Sequence, residues 1–193
     1  MNSDIRNNMK IVLKKQVEKK CNKNGFVDEV YRIIEYSDGF MPPENFNACA
    51  IYNITYHCKL CCPIENSIII GQIKVITPDI IIAFNGPIII FIPKENIYTD
   101  IWNIQEFPYI LKENNSVDKV NKILSIGNYV KIHIINKRIN KNDVEIKAIG
   151  KLLTFATYEE IENFFGNKII IDKNIDKKEN DSDNENDKSN FIM

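Results

Sequence analysis

Histidine is nearly absent from this chain: His57 and His133 are the only two among 193 residues. Gly-x-Ser-x-Gly and Walker-type glycine loops are missing, and no carboxylate pair stands near either imidazole in the sequence. A nucleophile, a base and an orienting group cannot be named together, so the chain reads as non-catalytic, with no cofactor expected. Long apolar runs are missing as well. The most apolar stretch, Ile68 to Ile92, is broken by Gln72, Lys74, Pro78, Asp79, Asn85 and Pro87. That falls short of the ~18 uninterrupted apolar residues of a membrane-crossing helix. Residues Met1 to Lys10 are polar and lack the apolar centre of a secretory signal, while the cysteines number five, an odd count. The expectation is an intracellular protein in a reducing compartment, away from membranes. A charge excess is also lacking: 25 basic residues face 26 acidic ones. Setting aside the tail from Asp172, with 7 acidic and 4 basic residues, leaves 21 basic against 19 acidic in the first 171. That balance permits nucleic-acid contact without demanding it.

What is present is isoleucine and asparagine, together about a third of the chain, a bias that fits AT-rich codons and says nothing about chemistry. The 44% hydrophobic content is enough to build a core. Ser3 or Asp4 can cap a first helix whose Met9, Val12, Leu13 and Val17 recur on a helical period, with a stop signal across Lys20 to Gly25. Strands are expected over Phe26 to Glu35 and Phe46 to Leu60, separated by Ser37-Asp38-Gly39 and the stiff Pro42-Pro43. After Pro63 the texture becomes short β runs with tight turns: Ile68 to Ile76, Ile80 to Phe84, Ile88 to Ile92, Tyr129 to Ile139 and Val144 to Leu152. A buried helix is the alternative for Ile68 to Ile92, but the stiff χ1 of isoleucine and the Pro/Gly breaks favour strands. Between the third and fourth strands lies an insertion from Pro93 to Gly127, with a short helix expected over Val117 to Leu124. A closing helix is expected from Thr157 to about Phe165. Five strands with an insertion after the third is the ground plan of a small OB barrel. The fold class is therefore α+β, an N-terminal α/β domain followed by a five-stranded OB barrel. The expected division is 1–66, 67–166 and a disordered acidic, Asn-rich tail at 167–193.

In order and in spacing, several segments resemble one family: Tyr56 to Pro63, Gly71-Gln72-Ile73, Gly86-Pro87-Ile88 through Phe91-Ile92-Pro93, Val130-Lys131-Ile132 and Ala148-Ile149-Gly150. The chain resembles the stalk subunit of RNA polymerase II, the seventh-subunit family, and its archaeal counterpart. The resemblance implies a truncated RNP-like first domain that docks on the polymerase core subunits. It also implies a small helical partner subunit, and an OB surface offered to nascent single-stranded RNA and initiation factors. Two departures stand out. The helix starts almost at Met1 where family members begin with a strand, so the first sheet should be one strand short, and the acidic tail is not a general feature. Such trimming and tailing suit a large DNA virus carrying its own polymerase, which would place the protein in a virion or cytoplasmic viral factory; an AT-rich eukaryote would place it in the nucleus.

Three constellations remain to be weighed. Cys58, Cys61 and Cys62, with Cys49, His57 and Cys21 near or upstream, lack the second Cys-x2-Cys pair of a zinc site, so packing is the favoured role and no metal is expected. The candidate RNA face comprises Lys74, Phe84, Phe91, Lys94, Lys131, His133, Lys137 and Arg138, because OB folds pair basic groups with aromatic faces. Its alternative is that Phe84 and Phe91 belong to the core. Candidate docking residues are Phe40, Met41, Pro42 and Phe46, large apolar groups in or beside a stiffened loop; here the alternative folds Phe40 and Phe46 back onto their own sheet. A free-standing OB factor acting in translation or RNA decay is the competing function.

Overall fold

The computed structural model describes residues 2–43, 50–103, 107–112 and 123–166. Helix α1 (Asn2–Val17) opens the chain, and its Met9 and Leu13 are buried against Val27, Val30 and Ile33. It ends where Lys19 takes a positive φ of 58°, and the Glu18 carboxylate accepts a 2.7 Å hydrogen bond from the Val30 N–H. The stretch expected to do no more than stop the helix instead forms a tight hairpin. Strand β1 (Lys20–Asn22) turns onto β2 (Gly25–Tyr36), with the Asn22 side-chain oxygen accepting from the N–H groups of Asn24 and Gly25. Gly25 is required there: its φ is 149°, and a Cβ would sit 2.6 Å from the Cys61 carbonyl oxygen. Strand β3 (Ile54–Cys61) pairs antiparallel with β2, completing a three-stranded sheet in the order β1-β2-β3. The strand expected from Phe46 thus begins at Ile54; residues 44–49 lie outside the described residues.

Five later strands close a barrel: β4 (Ile68–Ile76), β5 (Ile80–Asn85), β6 (Ile88–Pro93), β9 (Tyr129–Arg138) and β10 (Ile146–Phe155), in the order β10-β6-β5-β4-β9. The first three form an antiparallel meander. Strand β10 then runs parallel to β6, and β9 returns antiparallel to both β10 and β4. This is the OB arrangement the sequence predicts, and the helix alternative for Ile68 to Ile92 is excluded. Strict alternation builds the core: Ile81 and Ala83, Ile90 and Ile92, Val130, Ile132 and Ile134, and Ile146, Ala148 and Leu152 are all buried.

Two short strands in the insertion, β7 (Trp102–Asn103) and β8 (Ile110–Leu111), have no counterpart in the sequence expectations. They place Trp102 in the barrel's end, fully buried, with its indole N–H donating to the Leu153 carbonyl at 2.7 Å. Of the helix expected over Val117 to Leu124, only 123 and 124 are described. Neither is helical, and Ile123 bridges to Ile110. A closing helix, α2, covers residues 158–166 as expected, and the expected tail lies outside the described residues.

Sheet and barrel touch through backbone as well as side chains. The Cys21 N–H donates to the Asp143 carbonyl at 2.7 Å and the Asn142 N–H donates back to the Cys21 carbonyl at 2.8 Å. These two bonds tie the edge strand β1 to the turn between β9 and β10.

Gly150 explains part of the barrel's tightness. A Cβ there would lie 2.4 Å from Ile132 Cγ2 and 2.9 Å from Ile90 Cγ2, both in the packed core. Gly86 differs, because its φ of 56° suits the β5–β6 turn and no atom lies within 4 Å of a Cβ. Gly150→Ala should therefore lower stability by about 1–3 kcal/mol through overpacking, and Gly86→Ala by only about 1 kcal/mol through backbone strain. Urea denaturation of both variants checks the order; equal losses would contradict it.

Candidate nucleic-acid interface and docking tip

Alternation decides which barrel residues face outward. Phe84 lies between buried Ala83 and Asn85, and Phe91 between buried Ile90 and Ile92, so both rings point away from the core and are half-buried on the outer face. Phe91 stands beside Ile82 on β5 and Ile149 on β10. Lys137 and Arg138, at the end of β9, line one 330 Å³ groove together with Phe91, Asn136, Lys147, Ala148 and Ile149. Lys147 lies directly across from Arg138 in the β9–β10 ladder. Neither makes an ion pair with a carboxylate among the described residues. Two facing cations repel across a ladder, so an anion seated between them would relieve a cost the free protein bears.

The other predicted residues are not gathered there. Lys74 is exposed on β4, and Lys94 is exposed at the start of the 3₁₀ turn Lys94–Asn96. His133 is half-buried between Ile68 and Lys151. Lys131 is held 2.7 Å from the Glu160 carboxylate of α2. That hydrogen bond and the Thr157 backbone N–H hold the Glu160 carboxyl below its ordinary value. Lys137 donates to the Pro63 carbonyl at 2.7 Å and lies 3.3 Å from the Cys62 sulfur. One cation thus braces the closing helix and the other braces the linker ahead of the barrel.

Sequence reasoning misses Lys147 although it finds the strand; between Ile146 and Ala148 the outward parity of this lysine is readable. It misses Lys151 too, whose ammonium sits 4.6 Å from the centre of the Tyr98 ring.

At the far end of the sheet, Phe40 and Met41 are 62% and 64% exposed, so Phe40 is not folded back on its sheet. The β2–β3 ribbon reaches them through a paired bridge, Phe40 N–H to the Ile51 carbonyl at 3.0 Å and Ile51 N–H back at 2.8 Å. Pro42 is half-buried, and Phe46 lies outside the described residues.

Among the described residues no group of three His, Cys, Asp or Glu side chains could hold a metal. Cys21 is buried and Cys58 packs with the cluster beneath α1, while Cys49 lies outside the described residues. Burial raises the thiol of Cys58, and burial together with Asp143 and Cys61 raises that of Cys21.

The geometry defines a class: an OB-barrel protein fronted by a small α/β sheet. No model of a known protein family matches the chain. Over 160 residues it is 38% identical to a protein of Acanthamoeba polyphaga mimivirus named, provisionally, a DNA-directed RNA polymerase subunit; the match covers 82% of this chain and 77% of the mimivirus protein. The chain belongs to the family of that viral RNA polymerase subunit.

The groove yields a quantitative expectation. Were single-stranded RNA to lie in this groove, Arg138→Ala with Lys147→Ala would weaken its binding and flatten the log–log salt dependence by about 1.4, or ~0.7 for each phosphate no longer neutralised. Lys131→Ala should leave that slope unchanged, because its ammonium is already engaged by Glu160. Fluorescence anisotropy across a salt series distinguishes the variants; a slope unaltered in the double variant removes the groove from RNA binding.

Proposed function

We propose that this chain is the non-catalytic stalk subunit of a viral multisubunit DNA-directed RNA polymerase. The carrying observation is the identity to the mimivirus polymerase subunit across most of both chains. The order of parts supports the finer reading: an α/β sheet with an exposed apolar tip, joined to an OB barrel that bears a basic, aromatic groove. In this reading residues 1–66 grip the polymerase core subunits through Phe40, Met41 and Pro42, with Phe46 beside them. Residues 67–166 face the emerging transcript and initiation factors, residues 167–193 form an acidic extension, and a small helical subunit completes the stalk. The protein then resides wherever the viral polymerase works.

The mechanism is one of placement. Large apolar side chains held out on a stiff ribbon lose little entropy on docking and supply most of its free energy. A barrel fixed to that ribbon is then carried at a set position, where weak, sequence-tolerant contacts with RNA act at high local concentration.

Tagged protein purified from its native source should bring down large polymerase subunits in stoichiometric amount. Phe40→Ala with Met41→Ala should abolish that recovery while leaving the unfolding free energy within about 0.5 kcal/mol of wild type, the usual range for surface substitutions. Ribosomal or RNA-decay components without polymerase would overturn the proposal in favour of a free-standing RNA-binding factor.

A further inference from the structure

A lysine and a cysteine meet where the sheet hands over to the barrel. The Lys137 ammonium donates to the Pro63 carbonyl at 2.7 Å and to the Cys62 sulfur at 3.3 Å. Two backbone features bring the pair together. In the β9–β10 ladder, β9 steps two residues from Ile134 to Asn136 while β10 steps one from Gly150 to Ile149, so Ile135 is a bulge. A bulge re-aims the side chains beyond it. Lys131 and His133 keep the outward parity of β9, whereas Lys137 stands opposite buried Ala148 and turns toward Pro63. On the other side, Gly25 leaves the seat for Cys62: a Cβ there would come 3.0 Å from the Cys62 Cβ.

The surroundings leave the two groups to each other. Lys137 pairs with no carboxylate among the described residues. Cys61 packs against the barrel core and Cys21 is buried, so neither matches the contact Cys62 makes. Cys62 and Lys137 are both half-buried, held in place by packing yet within reach of a molecule as small as hydrogen peroxide. A brace for the linker needs only the bond to the Pro63 carbonyl. The sulfur beside the same nitrogen adds a chemistry that a brace does not use.

We propose that Cys62 and Lys137 are an oxidative modification site, at which a peroxide joins the two side chains through one bridging oxygen, Cys62 Sγ–O–Nζ Lys137. One peroxide breaks its O–O bond on the Cys62 sulfur and leaves a sulfenic acid and water. A second oxidises the Lys137 amine, its ammonium proton passing to solvent, to a hydroxylamine and water. Condensation of the two forms the S–O–N link and releases a third water. Thiol reductants return the free thiol and amine, so peroxide writes the mark and a reducing environment erases it. The residues lie 75 apart in the chain, and the link would tie the end of the sheet to β9 covalently. Like a disulfide, it would restrict the unfolded chain and stabilise the fold. This inference does not depend on the polymerase reading.

Mass spectrometry of the full chain, digested without reductant after treatment with hydrogen peroxide, tests it. The peptides of Cys62 and Lys137 should appear joined, with one oxygen more and two hydrogens fewer than the unmodified pair, and should separate after dithiothreitol. The oxidised chain should unfold at a higher urea concentration than the reduced one. Lys137→Arg, which keeps a cation beside Pro63, and Cys62→Ser should each lose both the joined peptides and that upward shift. Circular dichroism confirms that the variants fold, and the wild-type mass spectrum decides the matter without them. Cys62 recovered as a sulfenic or sulfinic acid, or bonded to Cys61, with Lys137 free would overturn the inference. A joined pair lacking the extra oxygen would overturn the bridging oxygen, and oxidation of other cysteines with Cys62 untouched would overturn the site.

Discussion

Everything else depends on closing five strands around a core too narrow for a full set of side chains. The parallel pairing of β6 with β10, Ile88 opposite Ile146 through Phe91 opposite Ile149, brings Gly150 against Ile132 and Ile90. Gly71 meets Ile132 and Ala83 in the same way, at 2.9 and 3.2 Å from where a Cβ would stand. Two absent side chains make room for β-branched ones. Closure then removes the barrel's own edges, and alternation turns Phe84, Phe91 and Lys147 outward.

A barrel so closed can serve as a fixed body for the sheet to lean on. The backbone exchange between Cys21 and the Asn142–Asp143 turn, the Lys137 bond to Pro63, and the Asn66 N–H bond to the Ile134 carbonyl hold the two parts together. For a binding element this coupling matters more than the stability of either part. A tip anchored to one surface can position a groove on the other only if the connection between them resists bending. Lys131 and Lys137, which by composition would make good phosphate contacts, are committed to bracing instead.

Most of the fold is legible because isoleucine runs bounded by Thr77-Pro78-Asp79 and Asn85-Gly86-Pro87 leave few alternatives to strands. Strand β1 is not legible: Lys20, Cys21 and Asn22 are too few to display a period, and the hairpin depends on the Asn22 side chain. The pair β7–β8 escapes for the same reason, at two residues each. In the candidate site, outward parity can be read from the neighbours of Phe84 and Phe91. The commitments of Lys131 and Lys137 cannot, because their partners lie 29 and 74 residues away. The Arg138–Lys147 pair requires the ladder register, which a one-residue slip would undo.

Cryo-electron microscopy of the polymerase purified through this chain tests the central claim most directly. The account predicts density for the α/β sheet against the core enzyme with Phe40 and Met41 at the contact, and the barrel projecting outward with its Phe91–Lys147 groove toward the exiting transcript. A polymerase that holds the chain by its barrel and leaves the Phe40 tip in solvent would contradict it.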